Sequence, residues 1–271
     1  MNLKLTILLL SISIFVILMA ILDIVVPYRY DEVRLDRRFL PPSINHLFGT
    51  DSLGRDVFTR VLYGTRFSLT VSSLSLALSA TLGTLIGILS ALSKHFHTFA
   101  DLVMNFFYIV PSIFVATITA FVIGFGIHVI AIAIVFRFLP MFYRVTRTIA
   151  LTVSVEPYIE SVRAVGASTL YVLTHYIARE TISTVAILSI YSFPETLSIE
   201  ISLNFIGLGV QPPTPSLGSI LAESVKYVVV APHNIVPPIL VVFAAILLAE
   251  ILGESIKKHL DSYNVDRKLF Y

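Results

Sequence analysis

Glu156-Pro157-Tyr158-Ile159-Glu160-Ser161-Val162-Arg163-Ala164-Val165-Gly166-Ala167-Ser168 is a short charged stretch, broken by glycine, in a chain that is otherwise mostly apolar. Pro157 suits the first turn of a helix. Ile159, Val162 and Val165 share one face, and Glu160 and Arg163 another. Gly166 ends that helix. Ser168 can cap a second one running through Leu170, Leu173 and Ile177. An amphipathic helix pair between two membrane segments is a docking element or a solvated connector, and the pattern alone leaves both open. A DNA-binding helix-turn-helix has the same outline. So few basic residues, tethered between two spans, argue against it.

The surrounding composition sets the solvent. The 271 residues are 56% hydrophobic and only 13% charged, with mean hydropathy +0.88. A soluble domain carries about 25% charge, so this is an all-α polytopic membrane protein. Six apolar stretches, near 5–26, 68–92, 100–123, 127–150, 181–206 and 235–256, reach the ~20 residues that cross ~30 Å of hydrocarbon. The first is read as an uncleaved span. Its run is too long for a signal-peptide core, and Val25-Val26-Pro27-Tyr28 is a poor cleavage site. Pro111, Pro140, Pro194, Pro237 and Pro238 fall in or beside spans, where neighbouring helices can satisfy the freed carbonyls.

Charge gives the orientation. With the N-terminus inside, Lys4, Lys94, Arg144, Arg147, Arg163, Arg179, Lys257, Lys258, Arg267 and Lys268 face the cytoplasm. The other side holds Lys226 and seven arginines of one loop, 27–66. Interleaved acids mark that loop as a folded unit that translocates despite its charge, so both termini are expected inside. A net charge of +2 gives no nucleic-acid footprint, and the absence of cysteine excludes disulfides and thiol catalysis.

Within 27–66, Gly49 marks a turn and Asp51 or Ser52 a helix cap. Leu53, Val57 and Val61 then form one apolar stripe, read as a short interfacial helix. Residues 207–216 cannot be regular helix, whereas Leu217, Ile220, Leu221, Ser224 and Val228 recur at helical spacing. The division expected is 1–66, the first span with its outer loop, and 67–271, a core of five spans with the loop 151–180 inside.

Four ionisable residues fall within spans: Arg137, Glu195, Glu200 and Glu250. Unpaired, each costs roughly 2.5–3.5 kcal/mol on insertion scales. They are candidates for a pathway or for interhelical braces, with Arg137 pairing Glu195 or Glu200. His95 and His97 beside Asp101 read as solvated loop rather than as a metal site. Asp51 and Asp56 read as helix capping and loop salt bridges rather than as an acid–base pair. No catalytic residue is assigned. No G-x-x-x-x-G-K-[ST] loop exists to hold a nucleotide.

Three separated runs carry a family resemblance. One is Phe48-Gly49-Thr50-Asp51-Ser52-Leu53-Gly54-Arg55-Asp56-Val57 with Leu62-Tyr63-Gly64-Thr65-Arg66-Phe67-Ser68-Leu69. Another is Glu156-Pro157-Tyr158, Arg163-Ala164 and Gly166-Ala167-Ser168. The third is Glu200-Ile201-Ser202-Leu203-Asn204-Phe205-Ile206-Gly207-Leu208-Gly209-Val210-Gln211-Pro212-Pro213-Thr214-Pro215-Ser216. In order and spacing they resemble the C-type permease subunit of dipeptide, oligopeptide and nickel ABC importers. Leu252-Gly253-Glu254 and Leu260-Asp261 are similar to the family's C-terminal motif. The departures are Glu160-Ser161-Val162 for the loop's "EAA" triplet, Ala178-Arg179 for Leu-Pro, Leu217 for tryptophan and Ser262 for the last proline.

The resemblance implies a six-span type I importer (MetI-like) fold in the plasma membrane. It implies a sister permease making a heterodimer, two ATPase subunits that hold ATP and Mg, and an extracytoplasmic binding protein. No cofactor is expected on this chain, and no metal. Glu156, Glu160, Arg163, Gly166, Ala167 and Ser168 would contact the ATPase, with Ile159 and Val162 as apolar anchors. Peptides are the default substrate, with nickel complexes and oligosaccharides as alternatives. An ion-gradient-driven carrier is the competing class.

Overall fold

In the computed structural model, which describes Asp23 and residues 26–269, the chain is helical and its helices run back and forth between two ends. The helices are α1 (Val57–Leu92), α2 (Lys94–Ile109), α3 (Ser112–Ile123), α4 (Ile127–Ser154), α5 (Pro157–Ala164), α6 (Thr169–Ile206), α7 (Leu217–Lys226) and α8 (Val236–Leu269). Among the described residues α1, α4, α6 and α8 are long and apolar enough to cross a membrane. Counted as one bent span, the α2–α3 pair would bring the number to five. The expected span at 5–26 lies outside the described residues.

Two spans differ from their sequence outlines. The third is broken: α2 and α3 meet at 93°. Val110 is extended, as a residue before proline must tend to be, and Pro111 caps the next helix. No separate short helix stands over Leu53–Val61 either. α1 begins at Val57 and runs unbroken for 36 residues, about 54 Å at 1.5 Å per residue. Its cap is Asp56 rather than Asp51 or Ser52: Asp56 Oδ2 accepts the Thr59 N–H at 2.8 Å.

α1 packs most extensively against α4. The contact face of α1 is a run of small residues at four-residue spacing, Ser75, Ser79, Gly83 and Gly87. A Cβ on Gly83 would sit 2.6 Å from Phe142 Cβ, and one on Gly87 2.8 Å from the Tyr143 carbonyl oxygen. Close backbone approach through small residues is how helices associate where lipid offers no hydrophobic drive. Ile130, Ile134, Phe138 and Phe142 of α4 then pack onto Val71 and Leu76.

Residues 27–56 fold over the end of the bundle where α1 begins, and α7 closes the same end. Asp51 is the hub. Its Oδ1 accepts the Leu53 and Arg55 N–H groups at 2.8 and 3.0 Å, and its Oδ2 pairs with Arg55 Nε at 2.7 Å and with Arg60. Both arginines also reach Glu223 of α7, at 2.9 and 2.8 Å, and Ser52 Oγ donates to it at 2.7 Å. The turn needs glycine at position 54, where φ is +73° and a Cβ would lie 1.8 Å from the Arg34 carbonyl oxygen. His46 pairs with Asp56 at 2.9 Å, and Asn234 Nδ2 donates to the Thr50 carbonyl at 2.8 Å. Gly49, Asp51, Gly54, Arg55 and Asp56 are thus the frame of this cap.

Replacing Glu223 with alanine leaves Arg55 and Arg60 buried against Asp51 alone, a loss of about 3–5 kcal/mol. Thermal melting in detergent reads it. Burial pushes the Glu223 carboxyl up, but Arg60, Ser52 and Arg55 outweigh that and hold it below the ordinary range. Its contribution is therefore full above the unfolded carboxylate pKa of about 4.3 and is lost as pH falls through the lower folded value. Glu223→Gln is expected to flatten that part of the acid melting curve.

Candidate functional site

At the opposite end, α4 stops at Ser154, and a hairpin built on α5 leads into α6. Glu156 stands at the N-cap and Pro157 in the first turn, where its missing N–H removes an orphan donor. Glu160 in the first turn and Arg163 in the last complement the helix dipole. Gly166, at φ +94°, reverses the chain. Its N–H bonds to the Arg163 carbonyl at 2.9 Å, and Ala167 N–H bonds to Val162 at 3.3 Å. Ser168 Oγ then accepts the Tyr171 N–H at 3.2 Å, capping α6 as expected.

The apolar face of α5 is turned inward. Ile159 is fully buried among Ala150, Val153, Val172 and Ile177, with Val162 packed beside it. Ile159 is therefore an anchor of this chain's own core and cannot also grip a partner. Periodicity placed Ile159 and Val162 on the right face, but Val165, expected beside them, lies past the end of α5 and is exposed. The exposed apolar residues are others: Val155, Tyr158, Val165, Leu170 and Tyr171, with Val165 at 86% exposure. They surround Glu160 and Arg163, which are exposed and make no ion pair among the described residues. No atom lies within 4 Å of a Cβ on Gly166. Tyr158 stacks toward Tyr176 at 5.8 Å, tying α5 to α6. Burial, with the Glu156 and Glu180 carboxylates, pushes its phenol pKa up, so it stays neutral. The missed residues had one signal in the sequence, large apolar side chains outside any span.

The charges within the spans divide. Arg137 Nη2 donates to Glu195 Oε1 at 2.7 Å, joining α4 to α6. Glu195 also lines a cleft of about 410 Å³ between α6 and α8, together with Tyr191, Ser198, Ile246 and Glu250. Glu200 is not on that face. Five residues past Glu195, it is rotated about 140° around the helix. It is wholly buried, and Asn204 Nδ2 donates to it at 2.7 Å. Asn204 in turn accepts the Val210 N–H at 3.0 Å, so Glu200 is linked through it to the 207–216 loop, with its second carboxylate oxygen buried and without a partner among the described residues. His97 is 3.5 Å from Asp101 and shares Tyr143 with it, while Ser90 meets His97 and Tyr143, a helix-joining cluster.

The pattern that defines the binding-protein-dependent transport system inner membrane components matches residues 83–262. The glutathione transport system permease protein GsiD of Shigella dysenteriae serotype 1 (strain Sd197) is 34% identical over 258 residues, 92% of this chain and 84% of that protein. The same protein from Escherichia coli O157:H7 is equally similar. The MetNI methionine ABC transporter, solved in an inward-facing conformation, matches the fold with a TM-score of 0.57 at 15% identity. That match covers 74% of this chain and 95% of the other.

Ile159→Ala is expected to loosen the hairpin by about 2–5 kcal/mol. Val165→Ala, at an exposed position, should stay within about 0.5 kcal/mol. Limited proteolysis of the 151–180 segment ranks the two.

Proposed function

The chain belongs to the family of binding-protein-dependent transport system inner membrane components, and on that premise we propose how it works within its transporter. It is a multi-pass inner-membrane protein and the non-catalytic permease subunit of an ABC importer. Such a subunit works with a partner permease, an ATPase and a substrate-binding protein. On our reading the pair is a heterodimer with two ATPase subunits, which hold the ATP and Mg. Residues 1–66 form the entry span and outer loop, and 67–271 the moving core. The hairpin and both termini face the ATPase side.

The observation that carries the reading is the hairpin surface. Val155, Tyr158 and Val165 between the spans, and Leu170 at the start of α6, are exposed around Glu160 and Arg163, which make no ion pair among the described residues. An apolar rim with central charges suits a short helix seated in a groove. α5 is fixed to α4 and α6 through Ile159, Val172 and Ile177, so a push on it moves both spans. Gly166 gives the close, Cβ-free approach, with Ala167 and Ser168 beside it. Arg137, Glu195 and Glu250 line the path that this movement opens alternately to each side. Peptide-like molecules are the substrate we favour, in keeping with relatives named for glutathione transport. Nickel complexes and oligosaccharides are the alternatives.

Affinity capture of the detergent-solubilised chain, wild type against Gly166→Asp, tests this. Wild type is expected to retain an ATPase and a second permease, and the variant to keep the permease, lose the ATPase and abolish uptake. Full uptake by Gly166→Asp overturns the docking role. Wild type isolated alone, under conditions that keep membrane complexes intact, favours a carrier driven by an ion gradient.

A further inference from the structure

The protein contains two kinds of ion pair. In the cap, Asp51, Arg55 and Arg60 are buried and each makes several charge-assisted bonds. Multiple bonding of buried charges is what a structural brace shows, even though Arg60 Nε is left without a partner among the described residues. Arg137 and Glu195 are different. They share one N–H···O bond, and their side chains are 40% and 50% exposed. Among the described residues the rest of the Arg137 guanidinium meets only the Phe138 ring, at 5.5 Å, and Glu195 Oε2 accepts nothing. Both therefore keep unused donors and acceptors, although both lie inside helices of membrane-crossing length.

Half-exposed charge of either sign is poorly tolerated against hydrocarbon, so this face looks onto water or protein. The contrast with α1 is clear. Beyond Arg66, its uncovered side carries Leu74, Leu78, Leu85 and Leu89 and no charge. Beside the pair opens the cleft of about 410 Å³, within the usual range for a small-molecule site. Tyr191, Ser198, Glu250 and Glu254 add polar groups to its wall, which is acidic, and Arg137 stands at its edge through Glu195.

We infer that Arg137 and Glu195 form a two-charge subsite of the path, which takes a zwitterion with separated ammonium and carboxylate groups, as in a short peptide with free ends. The inference rests on the permease reading above and gives it a substrate chemistry. The substrate ammonium replaces the guanidinium on Glu195. The substrate carboxylate takes the freed fork of Arg137, whose planar donors match it. Arg137 and Glu195 each keep one opposite charge throughout, so occupation exchanges their mutual hydrogen bond for one to the substrate at each end. A molecule with one capped end leaves Arg137 or Glu195 partnerless and is disfavoured.

The chain has no cysteine, so a single one can report on the cleft. Ser198→Cys is placed in the permease–ATPase complex in proteoliposomes, without the binding protein, whose own selectivity then plays no part. A charged methanethiosulfonate reagent is expected to modify Ser198→Cys but not Leu78→Cys. Alanyl-alanine that fills two thirds of the sites should slow modification roughly threefold. N-acetyl-alanyl-alanine amide, which has no terminal charge, should not slow it. Adding Arg137→Gln or Glu195→Gln should remove the protection by alanyl-alanine, although the comparison of the two dipeptides needs neither variant. Equal protection by both dipeptides, or by neither, overturns the two-charge subsite while an ATPase that still co-purifies leaves the permease reading standing. No modification at Ser198→Cys in any nucleotide state shows that the cleft is closed to water, and both the subsite and its place in the path fail.

Discussion

Where α1 crosses α4 there is no room for a side chain. The Cβ sites of Gly83 and Gly87 would fall within 2.8 Å of α4 atoms, and Ser75 and Ser79 continue the seam. Lipid does not push helices together as water does, so contact of this closeness is what holds them. The rest of the molecule is arranged on this seam. α4 carries Arg137 partway along and the hairpin at its end. α1 carries the cap at its start. Helices joined so tightly move as one body, and a displacement at the hairpin reaches the ion pair with little slack.

The cap does a related job by other means. The loop of some thirty residues, with arginines and acids interleaved, is folded as its charge pattern led one to expect. Asp51 gathers two arginines, and Glu223 fastens both to α7. Asn234 and His233 add bonds to the Thr50 and Leu40 carbonyls, which binds the start of α8 into the same unit. Buried pairs of this kind are costly to form and more costly to break. The result is a stiff lid on one end of the bundle and a comparatively bare hairpin on the other. That asymmetry suits a protein pushed from a single side.

Much of this could be read from the residues. Apolar runs located four of the spans because hydropathy reports burial in lipid directly. The hairpin, its proline start, its glycine stop and its serine cap followed from local backbone chemistry, which depends on few residues. What escaped was whatever depends on distant neighbours. Hydropathy cannot see a 93° bend, although Pro111 marked its place. The first turns of α1 seemed too polar for a span because Thr59 and Arg60 are buried by the cap, not by lipid. Arg137 and Glu195 were recognisable as partners, whereas Glu200 was grouped with them until its angular position around α6 separated it. Ile159 shows the same limit, since an amphipathic face is visible in sequence and the surface that covers it is not.

The entry to α6 carries one more lesson. From Leu173 to Ile177 the helix is a π turn, one residue wider than an α turn. One surplus residue offsets the phase of everything before it by about 100° relative to an unbroken helix. The direction in which Tyr171, Leu170 and the hairpin face is therefore set by counting, not by chemistry. For this segment length is the heritable property, and substitutions that keep the count leave the hairpin aimed as it is.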